Sequence, residues 1–189
     1  MVTQSSKSFV SLDEVKDFLN ISDTNSDSIL GSLIAGVSAQ ICLDCNRSFE
    51  YGTYTDYIDG DHDKKFLFLK EYPVASITSI HDDIDRDYGS DALIDSEDYA
   101  FDPESGTVKL EAAVARGIRN VKVIYVAGYD PMPDDLKYAC LAKVAARFLA
   151  SRTQVSTREG MDLVKKRIEE LEKDYSRIIE KYRRPAGYG

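Results

Sequence analysis

The sequence has no tryptophan, and its 189 residues include only two histidines and three cysteines. So small and odd a cysteine count does not suggest a disulfide framework. Cys42 and Cys45 form a C-x-x-C, but a structural zinc site needs about four ligands and no paired histidines stand at ligand spacing. The pair falls late in a predicted helix, where a redox motif would instead link a strand to a helix, so the cysteines read as small buried apolar residues. No run of about 18 apolar residues occurs, and no membrane span is expected. The opening "MVTQSSKSFVSLDEVK" lacks the apolar segment of a signal peptide, which makes synthesis in a cytoplasm the expectation. There is neither a G-x-S-x-G elbow nor a P-loop, and aromatic and basic residues are not interleaved as in single-strand grips. The failure of each catalytic motif argues against an enzyme, and no cofactor is expected.

What the chain does have is an uneven charge. The formal net charge is -9, yet residues 56–104 hold fifteen acidic and four basic side chains, while the segments 105–156 and 157–189 are net basic by four and two. An acidic belt repels nucleic acid; it suits a basic protein surface or a neighbouring copy of the same chain.

Periodicity divides the chain. Ser11 with Glu14 three residues on is a capping box, and Leu12, Val15, Phe18 and Leu19 fall on one face of a short helix. A second helix is predicted from about Asp27 to about Asn46, with Leu30, Leu33, Ile34, Val37 and Ile41 at helical spacing. Its small residues Gly31, Ala35, Gly36 and Ala39 cost propensity and imply close packing. After Phe49 the period becomes two: "TYTDYIDG", "KKFLFLKEYP", "VASITSIHDD", two short strands about a Pro-Glu-Ser-Gly turn, and "RNVKVIYVAGYD" predict a small, largely antiparallel sheet. Helix returns after Pro131 or Pro133, with Leu136, Cys140, Val144 and Phe148 on one face.

The last helix carries a heptad-like seam: Met161, Val164, Ile168, Leu171, Tyr175, Ile178 and Tyr182 are spaced alternately three and four. At about 25 residues it would be roughly 37 Å long, more than a small domain needs. The stripe either packs back on its own domain or packs on another chain; Val164, Ile168, Leu171, Tyr175, Ile178 and Tyr182 are the candidate interface. The expected fold class is α+β: a helical core of two N-terminal helices plus a later one, with an inserted antiparallel sheet (about 50–127) and a long C-terminal helix. The expected division is 1–156 and 157–189.

One stretch, "YIDGDHDKKFLFL", invites a metal. Asp59, Asp61, His62 and Asp63 offer carboxylates and an imidazole. A calcium loop begun at Asp59 would need glycine at its sixth position and glutamate at its twelfth, but these are Lys64 and Lys70. A polar hairpin tip needs nothing further, since Asp-Gly is a favoured hairpin dipeptide. A metal-binding protein or metal-dependent enzyme using Asp59–Asp63 is the alternative reading. "HDDIDRD", residues 81–87, reads as a charged loop.

The ordered set "LDEVKDFLNI", "DSILGSLIAGVSAQICLDCNRSF", "PVASITSI" after Tyr-Pro, "YVAGYD" and "MPDDLKYACLAKVAARFL" resembles the head–tail connector (adaptor) proteins of tailed bacteriophages, over residues from about 11 to about 152. The resemblance implies a non-enzymatic component of the virion neck, made in the host bacterial cytoplasm. It implies a ring of roughly a dozen copies beneath the portal. Its implied partners are further copies of itself, the portal protein and a tail or stopper protein. DNA would pass through the channel without specific binding, and no membrane is involved. The helix from Met161 to Arg184 has no assured counterpart in the simplest members.

Overall fold

A computed structural model describes residues 8–152 and 158–184. The polar break at 153–157 and the Gly-rich tail from Pro185 fall outside the described residues. The chain forms two compact units, one running to Arg47 and resuming over Pro131–Arg184, the other spanning Ser48–Asp130.

The first unit is helical. Helix α1 (Leu12–Leu19) begins at the expected capping box: the Ser11 hydroxyl accepts the Glu14 N–H at 3.1 Å, and the Ser11 N–H donates to Glu14 Oε2 at 2.6 Å. The Ser11 N–H holds the Glu14 carboxyl below the usual carboxylate range. Helices α1 and α2 (Asp27–Cys45) both end on an asparagine in the left-handed region, Asn20 at φ 54° and Asn46 at φ 52°. Asparagine tolerates that conformation and frees the chain to turn. Helix α3 (Asp134–Ser151) starts at Pro133 with Asp134 and Asp135 in its first turn, where the helix dipole favours carboxylates. Leu136, Cys140, Val144 and Phe148 are buried as expected, and so are Ala139, Ala142, Ala145 and Ala146. These alanines let neighbours approach α3 from several sides: Ala142, Ala145 and Ala146 form a cluster with Leu171 of α4 (Arg158–Tyr182), joined by Phe18 and Leu19 of α1.

The second unit is built mainly of strands, with short 3-10 turns at Ser90–Ala92 and Ser96–Asp98. Strands β1 (Gly52–Gly60), β7 (Gly117–Ala127), β3 (Val74–Asp82) and β4 (Leu93–Ile94) form one sheet in that order. Strands β2 (Phe66–Phe68), β6 (Thr107–Leu110) and β5 (Tyr99–Asp102) form another, and every pairing of named strands is antiparallel. Val121, Val123, Tyr125 and Ala127 alternate into a core with Ile80, Leu67, Leu69, Val108 and Leu110. The buried Tyr125 hydroxyl donates to Asp56 Oδ2 at 2.8 Å and accepts the Glu71 N–H at 3.1 Å, which satisfies the one polar atom the core must hold there. Fold class is thus α+β, with the long C-terminal helix present.

The three cysteines form no disulfide. Burial pushes the Cys45 thiol up to about 12 and the Cys140 thiol up to about 11. A thiol-reactive dye at pH 8 is therefore expected to label one cysteine quickly in the native protein, the half-buried Cys42, and all three after denaturation. Fast labelling of two or three would mean the helical unit opens readily.

Candidate functional site

The acidic stretch can be placed first. Strand β1 pairs with β7 and β2 pairs with β6, so residues 61–65 connect two different sheets. This corrects the hairpin-tip expectation: Asp-Gly signals a turn, but pairing partners are set by non-local burial that a local motif does not encode. Asp61, His62 and Asp63 do gather, with potential ligand atoms within 4.8 Å of one another. Asp59 does not join them, because its carboxylate accepts the Arg119 N–H at 2.7 Å. The Asp61 carboxylate takes the Asp63 N–H at 3.2 Å, which chiefly lowers its pKa, and Lys64 stands 3.5 Å away. A lysine on the same carboxylate already supplies the charge a cation would bring, and the His62 and Asp63 side chains are largely exposed. The geometry is that of a solvated loop stabilised by its own backbone.

The second acidic run behaves alike. The Asp83 carboxylate accepts N–H groups of Asp85 and Tyr88 at 2.9 and 2.7 Å, and the Tyr88 bond leads in holding it below the usual range. Asp82 accepts the Ala115 N–H at 2.7 Å and Asn120 Nδ2 at 2.8 Å. These carboxylates organise loops.

Another candidate surface lies on the helical unit. Along α4, Leu171 and Tyr175 are 1% and 5% exposed and lie inside their own chain, while Val164, Ile168, Ile178 and Tyr182 are half-buried. Polar bonds fix the C-terminal part of α4: the Tyr175 hydroxyl donates to Asp44 of α2, and the Tyr182 hydroxyl donates to Asp135 Oδ1 at 2.6 Å. Lys181 Nζ donates to Asp135 Oδ2 at 2.8 Å, Lys143 pairs with Glu172, and the Arg184 N–H donates to the Cys45 carbonyl at 3.1 Å. Ile179, absent from the heptad reading, is buried at 2%. The buried series Leu171, Tyr175, Ile179 steps by four. A straight α-helix drifts from a 3.5 repeat by about 20° per heptad, so the buried face moves from Ile178 to Ile179. The i+4 spacing from Tyr175 was the available signal. At the other end of α4, Met161 and Leu163 are 37% and 70% exposed.

Helix α2 is unusual for its composition. No charged residue occurs from Ser28 to Leu43, and the helix is long and apolar enough, by length and composition alone, to cross a membrane. One face (Leu30, Ile34, Val37, Ile41 and Cys45) is core. The other face, which carries Ser28, Ser32, Ala35, Gly36 and Leu43, is exposed.

Comparison with known proteins gives this architecture a context. A family model described as "Head completion protein" matches residues 8–185. No match was found among curated proteins. Among solved structures, the chain is similar to one in the neck of an empty gene transfer agent particle computed with C6 symmetry, at 16% identity and a TM-score of 0.64, covering 94% of this chain and 92% of that one. It is similar to a chain in the virion of a native gene transfer agent particle, at 16% identity and a TM-score of 0.58, covering 99% and 95%. A third, from the neck of a native particle computed with C12 symmetry, is 16% identical with a TM-score of 0.54, covering 96% and 97%. At such identity the likeness is one of fold, and it extends over both units and α4. With nearly the whole described chain inside the family match, the chain belongs to the head completion protein family.

Proposed function

We propose that this protein is a structural component of a virion neck, forming a ring that extends the DNA channel between the portal and the next neck or tail component. The family match over residues 8–185 carries this reading. The similar chains in necks computed with C6 and C12 symmetry support a ring, of about twelve copies. The role requires surfaces, not chemistry: several acidic groups of the strand unit, Asp59, Asp61, Asp82 and Asp83 among them, serve backbone hydrogen bonds, and a net charge of -11 over residues 56–104 discourages passing DNA from sticking. In this reading Val164 and the neighbouring exposed end of α4 face another subunit or the portal. Half-buried Ile168, Ile178 and Tyr182 form the rim where α4 meets its own chain.

The test is reconstitution. The full chain is mixed with the portal ring of the same particle, then followed by light scattering and by class averages in the electron microscope. The expected result is a discrete assembly of ten or more copies with rotational symmetry, coaxial with the portal and independent of divalent metal. A chain that stays monomeric both alone and with the portal overturns the proposal.

A further inference from the structure

The helical unit leaves four large apolar side chains exposed among its described residues, and they sit in two places. Ile29 (41%) and Leu43 (74%) flank the outer face of α2; Met161 (37%) and Leu163 (70%) mark the start of α4. Between Ile29 and Leu43 the outer face of α2 is paved with Ser32, Ala35, Gly36 and half-buried Ala39. These steps of three and four make one continuous shallow groove, about 20 Å long at 1.5 Å per residue. A solvated helix face ordinarily carries charge, and a helix that is apolar all round is ordinarily covered all round.

The glycines sharpen the point. A Cβ built on Gly31 or Gly36 meets nothing within 4 Å. Neither has a φ that favours glycine. Inside this chain, then, glycine at these positions gains nothing in packing and costs helix stability. The space beside both glycines is open to an approach from outside the chain. A ring closed by rotation uses two different patches per subunit, each meeting its complement on the next copy. The unit has one small-residue patch on α2 and one exposed apolar patch at the start of α4. Both are exposed, so within one copy neither covers the other.

We propose that the uncharged outer face of α2 is a ring contact that receives a neighbouring copy of this chain, with Met161 and Leu163 at the start of that copy's α4 seated over Ser32 and Gly36. This rests on the ring reading above and assigns the surface that makes it.

The experiment uses the full-length protein with Cys42→Ser as background, so that no accessible thiol remains on α2. Ser32→Cys and Leu163→Cys are combined in one chain, and disulfide formation is followed on denaturing gels. The expected result is a ladder of covalent oligomers from the double variant. Neither single variant alone gives more than a dimer, and an equimolar mixture of the two gives a mixed dimer. Gly36→Ala should leave the melting temperature unchanged or raise it by a few degrees. Gly36→Leu should fold as well but reduce both crosslinking and ring formation roughly tenfold or more, by overfilling the groove. If rings form while the ladder is absent and Gly36→Leu assembles normally, this inference fails and the ring reading stands. If no variant, nor the parent, associates alone or with the portal, both fail together. If Gly36→Ala instead lowers the melting temperature, the glycine packs inside its own chain and the inference fails. Sedimentation with phosphatidylglycerol vesicles that is lost in Gly36→Leu would assign the face to lipid and also overturn it.

Discussion

Gly128→Ala is expected to destabilise the strand unit by about 2–5 kcal/mol. Gly128 ends β7 at φ +105°, a conformation that L side chains rarely adopt. An added Cβ would lie 2.2 Å from the Glu50 carbonyl oxygen, 2.5 Å from its carbon and 2.8 Å from the Tyr51 Cα. All three are backbone atoms, so no side chain can swing aside. The Gly128 N–H also donates to the Pro73 carbonyl at 3.0 Å, which fixes the peptide from the other side. The measurement is urea unfolding followed by circular dichroism, since the chain has no tryptophan to report by fluorescence. Gly52→Ala is the control: a Cβ there meets nothing within 4 Å, and its effect should stay within about 0.5 kcal/mol. Equal midpoints for the two variants would show that the chains do not pass so closely at Gly128.

The second large effect is Leu171→Ala, expected to cost about 2–5 kcal/mol through a cavity beside Ala142, Ala145 and Ala146. Alanines cannot reach across to fill the space, so relaxation is limited. Leu163→Ala, eight residues earlier on the same helix, should change stability by no more than about 0.5 kcal/mol. Thermal melts of the pair decide whether α4 is integral to the helical unit. A small effect at Leu171 would mean the helix is only loosely laid on α3. The contrast also governs any assembly assay, because lost assembly from a charge at Leu171 would report a broken fold, whereas the same loss at Leu163 would report a broken contact.

The elements were legible wherever local chemistry decides them. Ser11 and Glu14 cap α1 as their spacing requires, Pro-Glu-Ser-Gly turns β5 into β6, and the alternation of Val121, Val123 and Tyr125 marks the inner face of β7. The Ala-Gly-Tyr at the exit of β7 is part of the resemblance to phage connectors, and its glycine has the physical reason given above. What stayed illegible is non-local. Nothing near Asp59–Asp63 says that β1 seeks β7 while β2 seeks β6, sixty and forty residues away. The strict heptad in α4 suggested a seam, but the straight helix buries Ile179 in place of Ile178. The outer face of α2 is visible in the sequence only as misplaced glycines; that the misfit lies toward solvent depends on which face the rest of the chain covers.

The chain leaves the helical unit after Arg47 and returns at Pro131, roughly eighty residues later. Yet the strand unit ties its own ends together: the Tyr129 N–H donates to the Phe49 carbonyl at 3.1 Å, and Glu50 bridges Tyr129 in parallel. Once that clasp forms, α2 and α3 are linked by an effective loop of a few residues, which removes about 2–3 kcal/mol of closure entropy from their docking. The strand unit is therefore a cassette with a two-strand handle. Its length and loops can diverge while the helices on either side of it in the chain keep their register, and during synthesis it can fold before α3 has been made.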